Sequence, residues 1–259
     1  MRPARIVPPL VAVAHGSRDP RAAATIGGLL AVVRARAAAV GLAGLNVRTA
    51  FLDHAAPSLP QVLGSLEPEY AECVVVPLLL TAAYHSKTDI PGQIAKTRSA
   101  CPDLDVAVAD PLGPHHLLTA ALDGRLAQAW PGPRHETSVV LAAAGSSDPS
   151  ANATNAALAA KLRETGGWRR VVPAYASAAS PTPAQAVGAL RADGGPVIVG
   201  TYLLAPGYFA DKVRDTSLAA GADAVTDVLG AAPEVADVII GRYLAEVGEP
   251  ATAPWVARA

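Results

Sequence analysis

The sequence predicts an α/β protein of two tandem similar domains, each a mainly four-stranded parallel sheet flanked by helices. Three observations point there. Apolar, β-branched runs of strand length alternate with helical stretches, the pattern of parallel sheets covered on both faces. Apolar residues make up 51% of the 259 residues and aromatic ones only 4%. Much of that apolar share is alanine, which suits helices packed closely on sheets. Finally, the pattern starts again after about residue 137, as an internal duplication would make it.

The first strand is expected within IVPPLVAVAH (6–15), and an alanine-rich helix follows over 21–41, closed by Gly41. LNVRTAFLD (45–53) reads as the second strand, and SLPQVLGSLE (58–67) as a helix entered at Pro57 or Ser58. AECVVVPLLL (71–80) is the third strand, and IPGQIAKTRSA (90–100) the helix after its loop. LDVAVADPLG (104–113) and HHLLTAALDGRLAQAW (115–130) complete the half as strand and helix. PGPRHETS (131–138), rich in Pro, Gly and charge, reads as a linker.

The duplication is ordered along the chain. AHGSRDP (14–20) lies over AAGSSDP (143–149), and AFLDHAAPSLPQVLGSL (50–66) over AYASAASPTPAQAVGAL (174–190). VVVPLLLTAAYH (74–85) lies over VIVGTYLLAPGY (197–208), and DPLG (110–113) over DVLG (227–230). The repeats are therefore placed at 1–133 and 138–245, with a tail over 246–259.

The copies differ where chemistry is concerned. His15 faces Ala144, and His85 faces Tyr208, or Phe209 if one gap is moved. His54 faces Ala178, and the His115–His116 pair faces Ala232 and Pro233. One working site and one structural copy is the simplest account. In open α/β sheets ligands sit outside the carboxyl ends of the strands. His15 follows the first strand, Asp53 ends the second and His85 lies just beyond the third. Imidazole with carboxylate suits first-row divalent ions such as Fe, Co, Ni and Zn. Two histidines with open positions suit a metal held in passing more than a closed structural site.

Plainer readings stand beside these. A strand-end histidine often serves as a polar cap, and His54, His115 and His116 read as surface residues. Gly16 is a turn residue first, and Ser17 and Asp19 read as caps of the following helix, with Pro20 in its first turn. Anion binding by Ser17 at that helix start is the lesser expectation. Arg18, Lys87 and Arg21 are candidates to pair with substrate carboxylates, although exposed charges are usually only solvated.

Composition narrows the class. Formal net charge is −1, from 21 basic and 22 acidic residues, which argues against a nucleic-acid binder working through counterion release. Two cysteines, Cys73 and Cys101, are too few for a disulfide scaffold or a four-thiolate cluster. With no signal-type segment and no run of 18 apolar residues, a cytoplasmic protein without a membrane partner is expected.

AHGSRDP, AFLDHAAPSLPQVL and VVVPLLLTAAYHSKTDIP together resemble the CbiX/SirB group of class II tetrapyrrole chelatases. The resemblance runs over nearly the whole chain, duplication included. It implies ATP-independent insertion of Fe2+ or Co2+ into sirohydrochlorin or a related precorrin by a lyase, with the ion as substrate and no tightly bound cofactor. The family's two histidines match His15 and His85; its acidic position, commonly glutamate, matches Asp53. The longer members hold the tetrapyrrole in a cleft between the halves, and the short members pair as dimers. A monomer is therefore expected of this fused version. Ferrous iron and sirohaem are the preferred outcome and cobalt for cobalamin the second, since ATAPWVARA ends the sequence without a His-rich or acidic stretch.

The chemistry fits. Metal insertion requires the ion to shed water and two pyrrole N–H protons to leave, and neutral imidazole, with an unperturbed pKa of ~6.5, can bind metal or accept a proton near pH 7. His15 and His85 would do this with Asp53 assisting. The alternatives are a non-catalytic metal or tetrapyrrole carrier and, more remotely, a hydrolase using Ser17 with His15. The glycine-flanked nucleophile elbow that such a hydrolase needs is absent.

Overall fold

A computed structural model of the chain describes residues 7–81, 89–98 and 101–248. The first repeat runs β1 (Leu10–Ala14), α1 (Pro20–Ala39), β2 (Val47–Phe51), α2 (Leu59–Leu66), β3 (Glu72–Pro77), α3 (Ile90–Arg98), β4 (Asp105–Val108) and α4 (His116–Ala129). The second runs β5 (Ser138–Ala143), α5 (Pro149–Gly166), β6 (Arg170–Tyr175), α6 (Pro183–Ala192), β7 (Val197–Tyr202), α7 (Tyr208–Ala219), β8 (Ala224–Val225) and α8 (Pro233–Val247). Each repeat forms one wholly parallel four-stranded sheet, ordered β2-β1-β3-β4 and β6-β5-β7-β8. The expected fold class is the observed one.

β1 is central, and its five residues are all buried, as a strand covered on both faces requires. Because side chains alternate along a strand, Val11 and Val13 point to one face, where Leu59, Leu63, Ile90 and Ile94 of α2 and α3 pack on them. Each such buried Leu or Ile contributes roughly 1.5–3 kcal/mol. On α1, Ile26, Leu29, Leu30 and Val33 are buried, and Arg34 donates to the Val47 carbonyl of β2. By length and composition α1 could cross a bilayer, but Ile26, Leu29, Leu30 and Val33 along it are buried within the protein.

The two compact units in space are not the two repeats in sequence. One unit takes the described residues up to Gly113 together with those from Val235 onward; the other is Pro114–Glu234. Thus α8, from the second repeat, belongs with the first sheet. Its Asp237 is paired with Arg36 of α1, its Tyr243 hydroxyl donates to the Pro8 carbonyl, and its Arg242 donates to the Pro111 carbonyl. Reciprocally, α4 packs on β7, with Leu122 and Leu126 against Gly200. Segment 131–138, between the two repeats, carries a short 3-10 turn. Arg134 there donates to Asp123 of α4 at 2.9 Å and lies over the Trp168 ring at 4.7 Å. Most of the tail expected at 246–259 lies outside the described residues.

Candidate active site

The strand order places the site. From β1 the chain moves to one side for β2 and then crosses to the other for β3, so the switch point lies at the carboxyl ends of β1 and β3, where a crevice opens in such sheets. His15 is the first residue beyond β1, and it is exposed.

The turn after it is dictated by backbone crowding. Gly16 has φ +95°, and a Cβ there would stand 1.8 Å from the Asp53 carbonyl oxygen. Gly145 repeats the arrangement, with φ +86° and 2.0 Å to the Ser177 oxygen. Below the turn, Ser17 Oγ accepts from the Asp19 N–H at 3.1 Å, as Ser146 Oγ does from Asp148 at 3.0 Å. Asp19 and Asp148 then cap α1 and α5. Asp19 thus caps α1 as expected, whereas Ser17 holds the cap residue's N–H and does not itself cap the helix. Arg21, a candidate for substrate carboxylates, is bonded to Asp19 at 2.6 Å, and these hydrogen bonds hold the Asp19 carboxyl below its usual range. Arg18 is exposed.

Asp53 stands beside His15, its N–H donating to the His15 carbonyl at 2.9 Å. The next residue departs from expectation. His54 has φ +61°, in a region that non-glycine residues seldom occupy, though histidine does so more than most. Ala178 takes the same conformation at φ +57°, so the backbone shape belongs to the scaffold. The imidazole is what the first repeat adds. The His54 ring lies 6.4 Å from that of His15, and its Nε2 lies 3.4 Å from Asp53 Oδ2. Asp53 Oδ1 also accepts the His54 N–H at 2.7 Å. His54 is exposed, as expected of a surface residue, and it stands beside Asp53 and His15.

An open pocket of about 410 Å³ lies here, lined by His15, Leu52 and Asp53 and, on the helix side, by Asp89, Gly92, Gln93 and Lys96. Gln93 Nε2 donates to the Leu52 carbonyl at 3.0 Å, which fastens α3 to the end of β2. The helix-side residues were not singled out from the sequence. Their spacing of three and four in DIPGQIAK, with Ile90 and Ile94 facing the core, is the signal that carried them.

His85 and Lys87 lie outside the described residues. Among the described residues no group of three His, Cys, Asp or Glu is placed to hold a metal ion. The facing of His85 and Tyr208 needs correction. The strand registers match Pro77 with Thr201, and Lys212 donates to the Ala176 carbonyl at 2.7 Å as Gln93 does to Leu52. Tyr208 then stands opposite Asp89. Seven residues, 82–88, lie between Thr81 and Asp89, but only Pro206 and Gly207 lie between their counterparts Ala205 and Tyr208. The second repeat lacks most of the segment that carries His85, not the histidine alone.

His115 Nδ1 accepts the Leu117 N–H at 3.2 Å, capping α4, and its ring stacks on His116 at 4.5 Å. Both belong to the second unit.

One sheet with imidazoles at its switch point, and a second without, define a duplicated α/β protein of the chelatase fold. The chain belongs to the CbiX family, whose profile matches residues 9–129 and 138–246. A sirohydrochlorin ferrochelatase of Priestia megaterium is 29% identical over 167 residues, which cover 64% of this chain and 63% of that one. A sirohydrochlorin cobaltochelatase of the same organism is 25% identical over 178 residues, 67% of this chain and 58% of that one. The matched stretch thus spans about three fifths of these relatives' length. Among solved structures, SirB from Bacillus subtilis with Fe3+ has the same fold, with a TM-score of 0.77 at 24% identity over 95% of this chain and 96% of that one.

Proposed function

We propose that the chain inserts a divalent metal ion, Fe2+ in preference to Co2+, into sirohydrochlorin without ATP. The observation that carries this reading is the asymmetry of one turn. His15, Asp53 and His54 converge at the switch point of the first sheet, whereas the same backbone in the second carries Ala144, Ser177 and Ala178. Family membership and the names of the relatives, a sirohydrochlorin ferrochelatase and a cobaltochelatase, support the reaction and both metals as candidates.

In the reaction two pyrrole N–H bonds break, the ion bonds to the ring nitrogens, and two protons leave without any change of oxidation state. A proton on His15 Nδ1, shared with the Gly16 carbonyl at 3.3 Å, leaves the basic lone pair on Nε2, able to hold the ion or take a proton. Asp53 and the adjoining His54 supply a carboxylate and a second imidazole on the same side. His85, beyond β3 in the sequence, is the further ligand in this reading, and the ion is a substrate released in the product. Lys87, Arg18 and Ser17 remain candidates for the tetrapyrrole's carboxylates. A monomeric, cytoplasmic enzyme without a resident cofactor goes with it.

The test is anaerobic incubation with sirohydrochlorin and Fe2+, Co2+ or Ni2+, followed by absorbance. Accelerated insertion with Fe2+ fastest is expected. Tetrapyrrole binding with no rate above free metal would instead favour a carrier.

A further inference from the structure

The helix side of the pocket carries a feature that core packing leaves unexplained. Ile90, Ile94 and Thr97 of α3 are buried, while Asp89, Gly92, Gln93 and Lys96 line the pocket. These last four recur at spacings of three and four, one helix face. At its centre is a glycine, which costs a helix about 1 kcal/mol relative to alanine. No turn requires it, and a Cβ there would meet nothing within 4 Å. One turn further on, ~6 Å along the axis, Lys96 is the cation lining this pocket among the described residues; the strand side presents Asp53. The pocket therefore has a carboxylate on either side, Asp53 at the strand ends and Asp89 at the start of the helix, with the His15 imidazole on the strand side and the Lys96 ammonium group a turn or more along the helix.

The second repeat serves as an internal control. With Gln93 opposite Lys212 through their shared bond to the β2 and β6 exits, Gly92 falls opposite Asp211 and Lys96 opposite Asp215. The copy has filled the gap and reversed the charge.

We infer that Gly92 and Lys96 form the docking platform for the tetrapyrrole, the bare glycine admitting the edge of the macrocycle and Lys96 Nζ pairing with one of its carboxylates. This rests on the proposed function for the identity of the ligand, and it adds the residues that recognise it. The arrangement also orients the substrate, since a carboxylate at Lys96 directs the ring nitrogens toward the His15 end, where an anionic arm would meet Asp53.

The test is binding of metal-free sirohydrochlorin under anaerobic conditions, followed by quenching of its fluorescence. Lys96→Glu is expected to weaken binding roughly three- to tenfold, an exposed charge pair turned repulsive, and to reduce its dependence on salt. Lys96→Arg is expected to stay within about twofold of wild type, because the charge is retained. Gly92→Leu, which improves helix propensity, should melt no lower than wild type yet bind at least about tenfold more weakly because the side chain occupies the platform. In turnover, KM for the tetrapyrrole should rise in Lys96→Glu while KM for the metal does not. Unchanged binding in both Lys96→Glu and Gly92→Leu overturns the platform and leaves the chelatase reading standing. Wild-type binding without insertion overturns the enzymatic reading, and the variant affinities still decide the platform. No wild-type binding overturns both.

Discussion

The exits of β1 and β5 are built alike and carry different side chains. Both use a glycine pressed against a carbonyl, a serine holding an aspartate N–H, and that aspartate as a helix cap. Both continue through a left-handed residue, His54 or Ala178, to a helix opened by a capping box, Ser58–Gln61 or Thr182–Gln185. What changes is His15 to Ala144, Asp53 to Ser177 and His54 to Ala178. A duplicated fold thus separates, within one molecule, the residues the turn needs from the side chains that only one repeat carries.

That separation can be broken in several ways, the largest effect first. Gly16→Ala and Gly145→Ala should destabilise alike, by more than about 2 kcal/mol. Each puts a Cβ into the left-handed region and within 2.0 Å of a carbonyl oxygen. Chemical denaturation of the two variants checks this, and a loss confined to one would show that the turns are not equivalent. Asp53→Asn should lower kcat/KM for insertion about tenfold, or ~1.4 kcal/mol, and His54→Ala by a similar factor. Ser177→Ala should leave turnover within about twofold. Ser58→Ala and Thr182→Ala should each cost about 1 kcal/mol, with no difference between repeats. Cys73 should show no reaction at all. Burial, with Asp105 nearby, pushes its thiol up to about 12, so the native protein at pH 8 should resist iodoacetamide at this position while the urea-unfolded chain is alkylated.

Much of this was legible in the sequence for physical reasons. Runs such as VAVA and VVV had to be buried strands, and the Ser-x-Asp-Pro and Ser-Leu-Pro-Gln signals had to open helices. The exchange of α4 and α8 was not legible, because an apolar helix face does not say which of two similar sheets it will cover. Nor was His54, since nothing in LDHAAP marks a residue with positive φ. The shorter stretch of sequence opposite 82–88 was hidden by similar flanking residues, and only the matching bonds of Gln93 and Lys212 exposed it. Gly92 and Lys96 were written in the helix, but their direction depends on which face Ile90 and Ile94 bury.

The central claim is that one repeat works and the other only folds, and His15→Ala tests it most directly. His15 is exposed, so its removal should change stability by less than about 0.5 kcal/mol. Anaerobic insertion of Fe2+ into sirohydrochlorin should fall by on the order of a hundredfold or more. A His15→Ala protein that folds and inserts metal at the wild-type rate would contradict the account.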